Sequence, residues 1–173
     1  MEITSDVLLK GLCWTKSLDL MKPFFPTSSQ PNYSLYALSI AVGIMYDKQL
    51  DIAGDEVDDI DLKRSVPRTV LHPHSSDLDF LFQTAIISSS LVDFDEKDRI
   101  ALAFDPECKI KFNKIEFLTK FANFGVTKLY EKLSSDPIET MEKLKNFLAQ
   151  SIEGYNYELD EIDDTLIDVE DLD

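Results

Sequence analysis

One segment, residues 35–46, constrains the fold more than any other, because as a helix it would be apolar on almost every side. Its apolar members are Leu35, Ala37, Leu38, Ile40, Ala41, Val42, Ile44 and Met45. Such a helix has to be covered by other elements, so it belongs at the centre of a domain. The segment is also well short of the ~20 residues that a membrane span needs. Gly43 lowers helix propensity by about 1 kcal/mol relative to Ala, so we expect it, with Ala37 and Ala41, to admit a closely packed neighbour.

Helical periodicity predicts a helix on each side of this central one. Ser5 and Asp6 can cap a first helix that runs to about Met21. A third helix is predicted over residues 77–91. Its expected buried residues are Leu78, Leu81, Phe82, Ala85 and Ile86. Residues 96–104 fit a helix and a strand equally well, so their state stays open.

The last third of the chain carries the clearest helix signals. Asn113 can cap a helix over residues 114–133, which has one broad apolar face. Asp136 then precedes Pro137 at a first helical position, and Glu139 completes the pattern of a capping box. These two helices are predicted to form an antiparallel hairpin. The sequence therefore predicts a mainly α protein, a single compact helical domain of about five helices.

Acidic residues interrupt this helical pattern once. Residues 47–61 contain seven acids against one base, Lys48. We expect an irregular insertion here, a loop or a short hairpin, which is either solvated or an acidic contact for a basic partner. Residues 64–70 can form a short strand, which Pro67 limits to a sheet edge.

Most of the net charge of −16 comes from the end of the chain. Residues 153–173 hold ten acids and no Lys or Arg, whereas the rest holds 23 acids and 17 bases. We therefore expect two parts, a helical domain over 1–152 and an acidic tail over 153–173. Direct nucleic-acid binding by this chain alone is disfavoured, because phosphate contacts need clustered Lys and Arg. With no signal peptide and two isolated cysteines, Cys13 and Cys108, we expect a soluble cytoplasmic protein with free thiols.

The sequence offers little for catalysis. No glycine-rich phosphate loop, nucleophile elbow, Cys-x-x-Cys or His-Glu-x-x-His motif is present. His72 and His74 lie near Asp77 and Asp79, but a zinc site needs three or four converging ligands, so we expect an exposed turn. Cys13 lies on a predicted buried helix face, which argues against a nucleophile. We expect no enzymatic activity, no cofactor and no metal.

The tail has a pattern that plain solubilising tails lack, because apolar residues are interleaved with its carboxylates. Such segments are typically unfolded alone and order on a partner. The predicted partner-binding residues are Leu159, Ile162, Asp163, Asp164, Leu166, Ile167 and Val169. The apolar members would enter pockets, as a strand or a short helix, and the carboxylates would steer toward a basic surface. A tail that only solubilises is the alternative.

Three segments together resemble a known layout. They are Leu-Ser-Ile-Ala-Val-Gly-Ile at 38–44, Asp-Phe-Leu-Phe-Gln-Thr-Ala at 79–85, and Phe-Leu-Thr-Lys-Phe-Ala-Asn-Phe-Gly-Val at 117–126. This layout is similar to that of small acidic proteins of bacterial anti-phage defence operons, which accompany ATPases. The resemblance covers about residues 35–150. It implies an accessory subunit without catalysis of its own, whose partner is an ATPase or nuclease subunit.

Three hypotheses of function follow. The first is a non-catalytic accessory or adaptor subunit that binds a protein partner through a basic or apolar groove of that partner. The second is a DNA mimic that blocks a DNA-binding protein, although a mimic should spread its acids over a rigid surface rather than concentrate them in a tail and one loop. The third, an enzyme of unrecognised type, is disfavoured by the missing motifs.

Overall fold

The chain folds into a mainly helical domain. A computed structural model describes residues 1, 3–25, 30–55 and 63–153, with side chains up to residue 150. Within these residues there are seven α-helices, six of them nine residues or longer, and one two-stranded sheet. The elements are β1 (Val7–Leu9), α1 (Leu12–Met21), α2 (Pro31–Tyr46), β2 (Arg64–Val66), α3 (Arg68–Leu71), α4 (Ser75–Ser88), α5 (Glu96–Phe104), α6 (Lys114–Tyr130) and α7 (Pro137–Glu153). The predicted fold class is confirmed, and the open segment 96–104 is helical.

Helix α2 lies at the centre and crosses α6 at backbone contact. Its residues Leu35, Tyr36 and Ile40 are fully buried. A Cβ atom added at Gly43 would lie 2.1 Å from the carbonyl oxygen of Phe121 on α6. The predicted close packing at Gly43 is therefore confirmed. The helix begins at Pro31, four residues before the predicted segment 35–46, because proline is well suited to a first helical turn.

The prediction for the start of the chain was wrong. Residues 7–9 form strand β1, not the first turns of a helix, and pair antiparallel with β2, Val7 opposite Val66. Val7 and Leu9 are buried while Leu8 is exposed, which is the alternation of a strand. Helix α1 starts only at Leu12, after Gly11 at φ 111°. Gly11 is required there because a Cβ would lie 2.2 Å from the carbonyl oxygen of Ala53.

The described half of the acidic insertion is irregular, as predicted, but it is held against the core. Ala53 is fully buried, and its N–H donates to the Lys10 carbonyl at 2.9 Å. The N–H of Cys13 donates to the Ala53 carbonyl at 3.1 Å, and that of Leu12 to the Asp55 carbonyl at 2.9 Å. Residues 47–55 are thus not a freely solvated loop, and residues 56–62 lie outside the described residues.

A buried amide ties three parts of the chain together. The Trp14 indole N–H donates to Asn123 Oδ1 at 2.9 Å. Asn123 Nδ2 donates to the carbonyl oxygens of Leu50 at 3.1 Å and Asp51 at 2.8 Å. Both ends of the amide are satisfied, so this polar group can sit in the core and fix α1, α6 and the insertion relative to one another.

The helix starts predicted in the last third are confirmed, with one exception. Asn113 Oδ1 accepts from the Glu116 N–H at 3.1 Å and caps α6. Asp136 Oδ1 accepts from the Ile138 N–H at 2.9 Å at the start of α7. The capping box does not close, because the Asp136 N–H donates to Ser134 Oγ at 3.2 Å, while the Glu139 carboxylate lies 2.7 Å from Lys143 Nζ. No described helix is long and apolar enough to cross a membrane. The boundary between domain and tail stays a prediction.

Candidate functional site

The most conspicuous surface is a group of large apolar side chains on α4, α5 and the loop between them. We call it the apolar strip; its members are Phe80, Ile87, Leu91, Ile100 and Phe104. Phe80 is 68% exposed and Phe104 is 62% exposed. Single exposed apolar residues are common, whereas several on two adjacent helices make this surface a candidate for binding.

The strip exists because α4 carries two apolar faces. One contains Leu78, Phe82 and Ile86, which are fully buried. The other contains Phe80 and Ile87, which are seven residues apart and therefore on the same side of the helix. The first face packs in the core, and the second face is left exposed, so the second is not needed to hold the domain together.

Helix α5 continues the strip beside α4. Gln83 Nε2 donates to the Ala103 carbonyl at 3.1 Å, which fixes the two helices next to each other. Ile87 and Ile100 both line a pocket of about 470 Å³. The exposed apolar side chains of α4 and α5 thus meet at Ile87 and Ile100.

Arg99 holds the loop between the two helices in one conformation. Its Nε donates to the Phe94 carbonyl at 3.0 Å, and its Nη1 donates to the Ser89 carbonyl at 2.7 Å. Its Nη2 donates to the Val92 carbonyl at 2.5 Å. The guanidinium has a fixed fork of donors, so three carbonyl contacts leave the loop little freedom.

Asp47 attaches this loop to the central helix. It ends α2 in the left-handed conformation, at φ 48°, and its Oδ2 accepts from the Ser90 N–H at 2.8 Å and the Ser90 hydroxyl at 2.6 Å. Burial alone would raise the pKa of Asp47, but hydrogen bonds from Ser89 and Ser90, with the charge of Arg99, hold it below its ordinary value. The loop beside the strip is therefore held by two charged side chains, Arg99 and Asp47.

The stretch of chain that carries the strip is acidic. Residues 75–107 contain eight acids and two bases. Outside this stretch, residues 1–152 contain equal numbers of acids and bases, so the stretch accounts for the whole net charge of the predicted domain. Arg99 points inward to backbone carbonyls, and Lys97 is the remaining base. Residues 93–107 hold six of these acids, and the exposed bases Lys109 and Lys111 follow them, so a molecule that covers the strip meets a net negative charge.

A second cavity, a groove of about 840 Å³, runs between the N-terminal segment and α6. Several of its charged side chains already have partners. Lys120 Nζ lies 2.9 Å from Asp51 Oδ1, and Lys114 Nζ lies 3.9 Å from Asp79 Oδ1. The groove presents no set of converging, unpaired groups among the described residues.

The predicted tail residues cannot be placed, because Leu159, Ile162, Asp163, Asp164, Leu166, Ile167 and Val169 lie outside the described residues. Their role stays a prediction.

The predicted histidine turn is a short 3-10 helix, in which the His74 ring stacks on Tyr33 with centroids 4.0 Å apart and Nδ1 lies 3.2 Å from Asp77. In the described ranges no group of three or more His, Cys, Asp or Glu side chains could hold a metal ion. Cys13 and Cys108 are half-buried free thiols, and burial raises the pKa of Cys13.

Comparison with known proteins adds no assignment: no protein-family model, curated protein or solved structure matches the chain.

Sequence reasoning missed the strip, although a signal was present. The buried residues expected for the third helix, such as Leu78 and Phe82, already satisfy one face of α4. Phe80 and Ile87 were left over from that pattern. Large apolar residues that a helix does not need for its core are the signal that could have identified this surface.

Proposed function

We propose that this protein is a non-catalytic accessory subunit that binds a protein partner through the apolar strip on α4 and α5. The observation that carries the proposal is the exposure of Phe80 and Phe104, at 68% and 62%. The helices that carry them are already fixed by core packing and by the hydrogen bonds of Arg99 to the loop between them. A surface fixed before binding loses little conformational entropy when the partner arrives.

The size of the side chains supports a useful affinity. Burying a large apolar side chain contributes roughly 1.5–3 kcal/mol. Phe80 and Phe104 together would contribute about 3–6 kcal/mol before the costs of association. The tail over 153–173 would add a second contact to the same partner, and linking two contacts raises the overall affinity.

The resemblance to accessory proteins of bacterial anti-phage defence operons favours an ATPase or nuclease subunit as the partner. In this proposal the chain acts in the cytoplasm, binds no nucleic acid directly and needs no cofactor.

The experiment that tests the proposal is a pull-down with full-length tagged protein from its native host, followed by binding measurements with the purified partner. The strip variant is Phe80→Ser with Phe104→Ser. The matched control is Ile138→Ser with Met141→Ser, which removes two exposed apolar side chains from α7 instead. The strip variant should bind the purified partner at least about 30-fold more weakly, the effect of losing about 2 kcal/mol.

Circular dichroism of both variants checks that they remain folded. Unchanged binding by a folded strip variant would refute the proposal. Binding that survives both apolar variants but is lost on changing Asp163, Asp164 and Asp168 to Asn would instead favour the DNA-mimic function.

A further inference from the structure

We infer that the apolar strip receives a cationic amphipathic helix of the partner protein. The inference rests on the proposed function and names the chemistry of the segment that binds. It follows from the shape of the strip, its charge and the rigidity of the loop beside it.

The shape of the strip fits a helix. Phe80 and Ile87 are two helical turns apart on α4, and Ile100 and Phe104 are about one turn apart on α5. The anchors thus form two neighbouring rows, with the pocket between Ile87 and Ile100. A helix with apolar residues at i, i+3, i+4 and i+7 presents side chains at matching intervals.

Charge decides which helix this is. Eight acids against four bases lie within residues 75–111, and Asp93, Glu96 and Glu107 among the acids are exposed. A helix with Lys or Arg beside its apolar face would be attracted to this surface. A helix flanked by acids would be repelled.

The same charge argues against two other occupants. A second copy of this chain, placed strip to strip, would bring two net-acidic surfaces together. The tail over 153–173 has ten acids and no base, so it is repelled by the strip as well. The occupant is therefore a basic segment from another protein.

The loop of residues 89–95 makes the site ready for binding. Arg99 donates hydrogen bonds to three of its carbonyls, and Asp47 accepts hydrogen bonds from the N–H and hydroxyl of Ser90. The loop beside the apolar strip then needs little reordering when a ligand binds, which favours a rigid ligand such as a helix.

The test uses two synthetic peptides of about 18 residues, long enough for about five helical turns. Both carry Leu on one helical face; one carries Lys on the opposite face and the other carries Glu. Their affinity for the full-length protein is measured by fluorescence anisotropy at about 50 and 300 mM salt. The Leu/Lys peptide should bind at least about tenfold more tightly than the Leu/Glu peptide.

Four variants of the full chain locate the binding. Phe80→Ser with Phe104→Ser should weaken binding of the Leu/Lys peptide by about 100-fold. Asp93→Asn, Glu96→Gln and Glu107→Gln together should weaken it about tenfold at low salt and less at high salt. Two controls should bind as the unchanged protein does. One is Ile138→Ser with Met141→Ser on α7, and the other is Asp163→Asn, Asp164→Asn and Asp168→Asn in the tail.

Three results would overturn the inference. Equal affinity for the two peptides would show that the strip does not select a basic helix. Loss of binding in the tail control, with none in the strip variant, would place the peptide on the tail. A dimer seen by sedimentation and lost in the strip variant would make a second copy the occupant. None of these three results decides the proposed function. That proposal fails only if the folded strip variant still binds the native partner.

Discussion

The crossing of α2 and α6 should not tolerate one additional methyl group at Gly43. A Cβ there would lie 2.1 Å from the Phe121 carbonyl oxygen and 2.6 Å from the carbonyl carbon. Ordinary contacts of a Cβ are 3.4–4 Å long, so α6 would have to move by more than 1 Å. The obstacle is backbone rather than a flexible side chain, so local rearrangement cannot relieve it.

Two effects of Gly43→Ala oppose each other. Helix propensity alone predicts that the substitution stabilises the protein by about 1 kcal/mol. Overpacking a core costs about 1–3 kcal/mol and sometimes more, and a backbone clash lies at or beyond the upper end of that range. We therefore expect a net loss of about 2 kcal/mol, or about 4–8 °C in Tm for a domain of this size.

Chemical denaturation and thermal melting, both followed by circular dichroism, measure the loss. The control is Ala41→Gly on the same helix, where the side chain is exposed and propensity alone should cost about 1 kcal/mol. Gly125→Ala should behave like Gly43→Ala, because its Cβ would lie 1.8 Å from the Ser39 carbonyl oxygen. A Gly43→Ala protein more stable than the original would refute the close crossing.

Two further substitutions and one truncation test the buried amide network, the Asp47 contact and the boundary of the domain. Asn123→Ala leaves the Trp14 indole N–H and two backbone carbonyls without their partner, so it should cost at least about 3 kcal/mol of unfolding free energy; a loss below about 1 kcal/mol in urea denaturation would contradict the buried network. Burial alone would raise the pKa of Asp47, but hydrogen bonds from Ser89 and Ser90 hold it below its ordinary value. Its contribution to stability is therefore present above that ordinary value and is lost as the pH falls through the lower folded-state pKa. The stability difference between the unchanged protein and Asp47→Asn should therefore close only in acid, and a difference that closes near neutral pH would speak against this assignment. Ending the chain after Ile152 should leave a folded protein, and loss of a cooperative thermal transition would show that the tail belongs to the core.

Signals that act over a few residues were sufficient to predict much of the helical structure. Asn113 and Asp136 cap their helices with their own side chains, and Pro137 occupies a first-turn position that favours proline. No distant residue is therefore needed to predict where α6 and α7 begin. The close approach at Gly43 was also predictable, since an apolar helix keeps a glycine only where something needs the space.

Features that depend on distant residues were beyond the sequence pattern. Strand β1 requires the pairing of Val7 with Val66, and its three residues fit the start of a helix when read alone. The burial of Ala53 in an acidic segment depends on hydrogen bonds to the backbone of Lys10 and Cys13. Neither contact leaves a periodic signal near the residues that make it.

The candidate site was missed for a different reason. Phe80 lies among residues that are buried, so the pattern of α4 predicted a core helix without showing that one apolar face is surplus. Only the packing shows which face the core takes. The predicted tail contacts, by contrast, depend on composition alone and remain predictions.

Hydrogen–deuterium exchange of the full-length protein, with and without its purified partner, tests the central claim most directly. Partner binding through the apolar strip predicts slower exchange in α4, in the loop of residues 89–95 and in α5, with exchange in the first turns of α7 unchanged. Slower exchange confined to α7 or to residues 153–173, with α4 and α5 unaffected, would contradict the claim.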